Sequence, residues 1–418
     1  MKKIFNHAKN ALNKGDDHHS FPSHSAPQQQ QRMTDQPSSI QAPTQQDVVR
    51  YRYQHGTNLG SVFVLEKWLT GHMYPEGAES AELAAVTGNI KQSGLDAARQ
   101  KFENHWRTYV SDGDLDWLIN EAHCRSHLST LVFSTVLISQ GNSVRLPIGY
   151  FTLGPAYCNH TPFASASGVY ENAWAAVREL VARCYSRGIG VLLDLHALPG
   201  GANNGDHSGT NSGKAELWHN RSNLELATRC LLFMAKEASH MDGVVGIQLC
   251  NEAEWNAKGM YEWYDSTIAQ MAGVDYTMPL YISDAWNLDS AAKYSNGKNS
   301  LNAEKSNPIV IDTHLYWCFD DKDKQKSPHD ICHEVPSKMN ALDGHEGSVV
   351  DHGAAQVVIG EYSCVLAEDC WNKCGGDSKE NLVKRFGQVQ SQRHQNKSGG
   401  SFFWTYRMVS PPRVNMCS

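Results

Sequence analysis

The stretch VVGIQLCNE, residues 244–252, decides the fold. A short run of apolar, mostly β-branched residues ends abruptly in polar ones, the pattern of a strand buried on both faces of a parallel sheet. QVVIGEYS, residues 356–363, repeats the pattern and carries Glu361 where the first carries Glu252. A carboxylate that ends such a strand is held on rigid backbone at the rim of the sheet, where a (β/α) barrel places its active site. Taken singly, each glutamate is equally well the polar stop of a strand. Two of them facing one pocket are what cleavage of a glycosidic bond requires, one to protonate the leaving oxygen and one to attack or to activate water.

Working outward, strand-like runs alternate with helical ones. The expected strands are Asn58–Glu66, Val144–Ile148, Gly190–His196, Val244–Glu252, Leu280–Trp286, Ile309–Trp317, Val357–Ser363 and Phe402–Tyr406. Between them lie amphipathic stretches such as Glu171–Ser186, Asn223–Ser239, Met260–Met271 and Lys379–Gln395. This alternation implies one parallel sheet, and eight strands close a (β/α)8 TIM barrel. Residues 49–418 form that domain, with an insertion at 69–115 that reads as helical around Leu95–Trp106. Residues 1–48 are rich in Gln, Ser, Pro and His and read as a disordered tail.

Two segments do not fit. Residues 124–140, CRSHLSTLVFSTVLISQ, are apolar and β-prone where a short helix-to-strand turn belongs. Their removal restores EAHGNSVRLPIGY, so they read as a retained intron or a mis-set exon edge, against a genuine long loop or an extra edge strand. After SFFWTYR the chain runs only MVSPPRVNMCS, which leaves the barrel incomplete at its C-terminal end, without a helix to cover the last strand.

Composition excludes some classes. Hydrophobic residues at 40% and charged residues at 19% are globular values. The net charge of −7 leaves no basic surplus for phosphates, so no nucleic-acid partner is expected. No apolar run reaches a membrane span of about 18–20 residues. The 11 cysteines lack paired CxxC spacing, which argues for free thiols and against a zinc site. The N-terminus MKKIFNHAKNALNKGDDHHS has no continuous apolar core and no cleavage site, hence no secretory signal, and the expected compartment is the cytoplasm. A mitochondrial address or a membrane-surface helix stays open there beside a plain tail. The loop LPGGANNGDHSG lacks the Lys-Ser/Thr end of a phosphate cradle, and no GxSxG elbow marks an esterase.

Seven segments, in order, resemble glycoside hydrolase family 5 and within it the fungal exo-β-1,3-glucanase-like branch. They are NLGSVFVLEKW (58–68), SVRLPIGYF (143–151), LLDLHALPGGANNGDHSG (192–209), GIQLCNEA (246–253), DTHLYWCF (312–319), VIGEYS (358–363) and SFFWTYR (401–407). The resemblance implies a retaining β-glycosidase that needs no metal or organic cofactor. It makes Glu252 the acid/base and Glu361 the nucleophile. Asn251 then bonds the sugar 2-hydroxyl, and Arg145 sets a fixed positive charge under Glu361, which in turn would raise the pKa of Glu252. His196, His314 and Tyr316 match residues that orient the carboxylates and bind sugar, Trp404 an aromatic platform, and Glu66 a first-strand carboxylate that binds sugar hydroxyls.

Where the family usually has Pro after the acid/base, this chain has Ala253. The bland competitors are a core histidine at His196 and an arginine at 145 that pairs with any buried carboxylate. The implied substrate is a β-glucoside: β-1,3-glucan by resemblance, or a β-glucosylated lipid if the enzyme is cytosolic. Rival readings are a non-catalytic glycan-binding barrel and a transglycosylase.

Overall fold

A computed structural model describes residues 44–120, 142–299, 306–343 and 356–407. Eight parallel strands form a closed barrel in sequence order: β1 Gln54–Asn58, β2 Ser143–Gly149, β3 Gly190–Ala197, β4 Val244–Gln248, β5 Leu280–Ser283, β6 Ile309–Trp317, β7 Val357–Leu366 and β8 Gly400–Phe403. The helices Ala173–Tyr185, Arg221–Ala238, Met260–Asp275, Leu288–Lys298 and Lys379–Lys397 pack outside it. The sequence pattern misses only Leu288–Lys298 among these. The barrel closes where β8 pairs with β1 from Gln54↔Gly400 to Thr57↔Phe403. The sheet is therefore complete, and the expected lack of a helix over the last strand concerns residues outside those described. Beyond β8, Tyr406 donates its N–H to the Asn58 carbonyl at 3.1 Å, and Arg407 reaches the Tyr109 carbonyl at 3.0 Å.

The first strand is displaced from its expected place. SVFVL looks β-prone, yet β1 is the polar run QHGTN before it. Leu59, Val62, Phe63, Val64 and Leu65 are all buried, but in an irregular segment that turns at Ser61, φ +64°. Inserted helices Glu82–Ser93 and Leu95–Thr108 explain this. They cover the segment from outside: Phe63 stacks on Trp106 at 6.1 Å, and the His105 ring bonds the Ser61 carbonyl at 2.8 Å. Apolar character thus reports burial, and a neighbour supplied by the insertion buries these residues without a strand. The polar run succeeds as β1 because Gly56 lets β2 approach; a Cβ there would meet the Ser143 carbonyl oxygen at 1.7 Å.

A domain boundary at residue 48 also needs correction, since it falls inside the helix Gln45–Tyr51. Thr44 caps that helix in a capping box with Asp47. Gln46 bonds both the Val244 carbonyl and the Gly243 N–H at 3.0 Å, and Val49 inserts into the barrel floor with Leu192, Val245, Tyr281, Val310, Val358 and Phe402. The anomalous segment 124–140 and the end of the chain after Arg407 lie outside the described residues. Among the described residues no helix is long and apolar enough to cross a membrane.

Candidate active site

Above that apolar floor the same strands turn charged. Side chains two residues apart on a strand share a face. Leu192, Asp194 and His196 therefore climb β3 toward the pocket, and Val310, Asp312, His314 and Tyr316 climb β6. On β7 the step breaks: the register shifts between Ile359 and Tyr362, so Glu361 as well as Val358 faces the interior. Gly360 permits this, because a Cβ there would lie 1.8 Å from Asp312 Oδ1.

Arg145, fully buried on β2, is the hub. It donates to Glu361 Oε1 at 2.8 Å, Asn58 Oδ1 at 2.9 Å, Gln248 Oε1 at 2.8 Å and Asn251 Oδ1 at 2.7 Å. Its Nη2 also lies 3.0 Å from Asp194. A buried cation is tolerated only when so fully partnered. Tyr316 donates to Glu361 Oε2 at 2.8 Å, so both oxygens of that carboxylate are held.

Glu252 leaves the end of β4 at φ +42°, a left-handed conformation that costs a non-glycine residue about 1–3 kcal/mol. Asn203 holds the turn through the Glu252 carbonyl at 2.7 Å, and Ala253 donates its N–H to Ser283 Oγ at 3.2 Å. The carboxylate faces two histidines, His314 Nδ1 at 2.7 Å and His207 Nε2 at 3.3 Å. His314 Nε2 lies 3.0 Å from Asp312. One carboxylate oxygen of Glu252, one of Glu361 and a His314 nitrogen all lie within 4.8 Å of one another. That trio has the donor spacing for a cation, but Arg145 and Tyr316 hold the Glu361 oxygens, and His314 and His207 face those of Glu252, so it reads as proton machinery.

The electrostatics overturn one expectation. Burial pushes the Glu252 carboxyl up, yet the hydrogen bond and charge of His314 outweigh it and hold the group down, at about 2. Burial likewise pushes His314 down, while Glu361, Asp312 and its hydrogen bonds to Asp312 and Glu252 lift it well above the usual imidazole value. Both directions favour the proton on the histidine. Glu361 does raise the pKa of its neighbours, His314, Tyr316 and Glu66 among them.

The other expected residues converge on the same pocket. His196 stacks parallel to Trp404 at 6.0 Å and 9°, its Nδ1 2.7 Å from Asp194 and its Nε2 3.4 Å from Asn251 Nδ2. Glu66 accepts from the Trp68 indole at 2.9 Å, and burial raises its pKa to about 7. Sequence reading passed over Asn58, Asp194, Gln248, Asp312, Asn203 and His207. The repeated D-x-H on β3 and β6 could have revealed the two aspartates, since its spacing stacks each one beneath its histidine. Nothing local marks the others.

Fold and site together define a barrel hydrolase with two facing carboxylates. The cellulase profile, glycosyl hydrolase family 5, matches residues 129–384. Over 370 residues the chain is 32% identical to glucan 1,3-beta-glucosidase 3 of Schizosaccharomyces pombe, covering 87% of this chain and 71% of that one. It is 31% identical to an uncharacterized glycosyl hydrolase of Saccharomyces cerevisiae, over 86% of this chain and 68% of the other. A probable glucan 1,3-beta-glucosidase A of Aspergillus niger is 25% identical over 86% of this chain and 84% of its own. The chain belongs to glycosyl hydrolase family 5.

Proposed function

We propose that this protein is a retaining β-glucosidase in which Glu361 is the nucleophile and Glu252 the acid/base. The observation that carries the reading is the separation of the two carboxylates, whose nearest oxygens lie within 4.8 Å. Double displacement uses carboxyl groups about 5–5.5 Å apart, whereas inversion needs about 6.5–9.5 Å to admit water. Glu361 Oε attacks the anomeric carbon as the glycosidic C–O bond breaks, and the leaving oxygen takes the proton from Glu252. Glu252 then removes a proton from water, whose oxygen attacks the same carbon and frees Glu361.

The proton arrives through His314. A bound sugar excludes water, and a neutral Glu252–His314 pair is less costly to bury than an ion pair. The proton therefore passes along the 2.7 Å bond from Nδ1 to Oε1. In this reading Asn251 and Glu66 bind sugar hydroxyls and Trp404 stacks on the ring.

For the substrate, the names of the relatives favour β-1,3-glucan. A β-glucosylated lipid is the second reading. It is favoured by four aromatic side chains exposed on strand-to-helix segments around the mouth: Trp68, Trp255, Trp286 and Phe319. Proton NMR of aryl β-glucoside hydrolysis tests the mechanism. β-Glucose should appear first, and Glu361→Gln should lower turnover on the order of 10⁴-fold or more. A first-formed α-anomer, or a Glu361→Gln enzyme with normal kcat, would overturn it. A panel of laminari-oligosaccharides and glucosylated lipids separates the two substrates.

A further inference from the structure

In the segments that follow β4 and β5, Glu252 at φ +42°, Asn256 at +60°, Ala285 at +48° and Trp286 at +62° are left-handed without being glycine. They belong to two turns, one following β4 and one following β5. A single buried hydroxyl joins them. Ser283 Oγ accepts the N–H of Ala253 at 3.2 Å and the N–H of Ala285 at 3.2 Å.

The second turn is itself locked. Asp284 accepts the Trp286 N–H at 2.9 Å through Oδ1 and the Thr313 hydroxyl at 2.6 Å through Oδ2. It presents the Trp286 indole to solvent and edge-on to His314, ring centres 6.4 Å apart. Strain of this kind persists only where the surroundings over-determine it. On the β4 side the Glu252 backbone is restrained by the Asn203 bond to its carbonyl, the Ser283 bond to the next N–H and the Glu254 N–H to the Ala202 carbonyl at 3.0 Å, while His314 and His207 hold only its carboxylate.

From this we infer that Ser283 is a positioning residue for proton donation: its hydroxyl ties the turn that carries Glu252 to the turn that displays Trp286, and so sets where the acid meets the leaving oxygen. The inference rests on the acid/base role proposed for Glu252. It concerns the steps in which Glu252 moves a proton, of which kcat/KM reads the first, and not the attack by Glu361, which is held by Arg145 and Tyr316 from other strands.

The test compares kcat/KM on 2,4-dinitrophenyl β-glucoside, whose leaving group needs no proton, with kcat/KM on octyl β-glucoside, whose leaving group does. Ser283→Ala should lose roughly tenfold to a hundredfold on the octyl substrate and change little on the dinitrophenyl one. Ser283→Thr, which keeps the hydroxyl, should recover most of the loss. Ala253→Pro deletes the donor while keeping Ser283, and should show the selective loss by itself. In that background Ser283→Ala should add no further selectivity, since interacting sites are non-additive. Equal losses on both substrates, no loss, or the same selective loss in both backgrounds would overturn the proposal. Glu252→Ala separates the two levels. If it is selective while the Ser283 and Ala253 variants are not, the joint fails. If it is not selective, the acid assignment itself fails.

Discussion

The two storeys of the barrel interior are built from the same strands and have opposite chemistry. The lower one is a hydrophobic cluster of Val49 with Leu192, Val245, Tyr281, Val310, Val358 and Phe402. The upper one holds Arg145, Asp194, Asp312 and Glu361, none appreciably exposed. On β3 and β6 the change takes one step of two residues, from Leu192 to Asp194 and from Val310 to Asp312. The lower storey is stabilised by removing carbon from water. The upper one cannot be, so it persists by pairing every charge, and that pairing is also what readies it for chemistry. The same argument separates carboxylates. Burial pushes Asp312 up, but His314 and Arg145 outweigh it and hold the group below the ordinary value. Glu82, buried in the inserted helices, receives only the Leu65 N–H and the Tyr170 hydroxyl, and burial lifts it to about 8.

The largest break should come from Arg145→Met. It leaves Glu361, Asp194 and Asp312 buried without their cation, a loss of about 3–5 kcal/mol, and turnover should fall with it. Differential scanning calorimetry beside kcat measures both; a variant with wild-type Tm would mean the upper storey does not depend on this hub. Val49→Asp attacks the lower storey instead. An unpaired carboxylate in the barrel floor should cost roughly 2–4 kcal/mol, with KM on aryl glucoside unchanged while the protein stays folded. A raised KM at low temperature would show the floor and the site to be coupled.

Glu82→Gln should have the smallest effect, and it sharpens the comparison. The folded state keeps the Glu82 proton up to about 8, whereas an ordinary glutamate loses it near 4.5. Between those values the folded protein binds more protons than the unfolded chain, so stability falls as pH rises through that window. The glutamine variant does not titrate, and its Tm should decline less from pH 5 to pH 8. After allowance for relaxation around the buried group the difference is on the order of 1–2 kcal/mol. Parallel Tm–pH curves would show that Glu82 does not control this dependence.

Much of the barrel was legible because buried parallel strands announce themselves. VVGIQ, IVIDTHLYW and VVIG carry β-branched runs that few other environments use; the polar ends of the first and last located Glu252 and Glu361, while His314 and Tyr316 came from the family resemblance. β1 was misplaced for the converse reason: the inserted helices bury SVFVL without making it a strand. By itself, then, the sequence determined the order of strands and helices and which carboxylates stand at the rim. A local pattern suffices for that, since period and burial are written into neighbouring residues.

The tertiary structure alone decided the proton. Glu252 falls to about 2 because His314, sixty-two positions away, meets it across the pocket. Closure of the barrel likewise brings Arg145 under Glu361, and Ser283 between two turns. Coulomb energy and hydrogen bonding depend on distance in space, and for these groups that distance exists only once the sheet has closed.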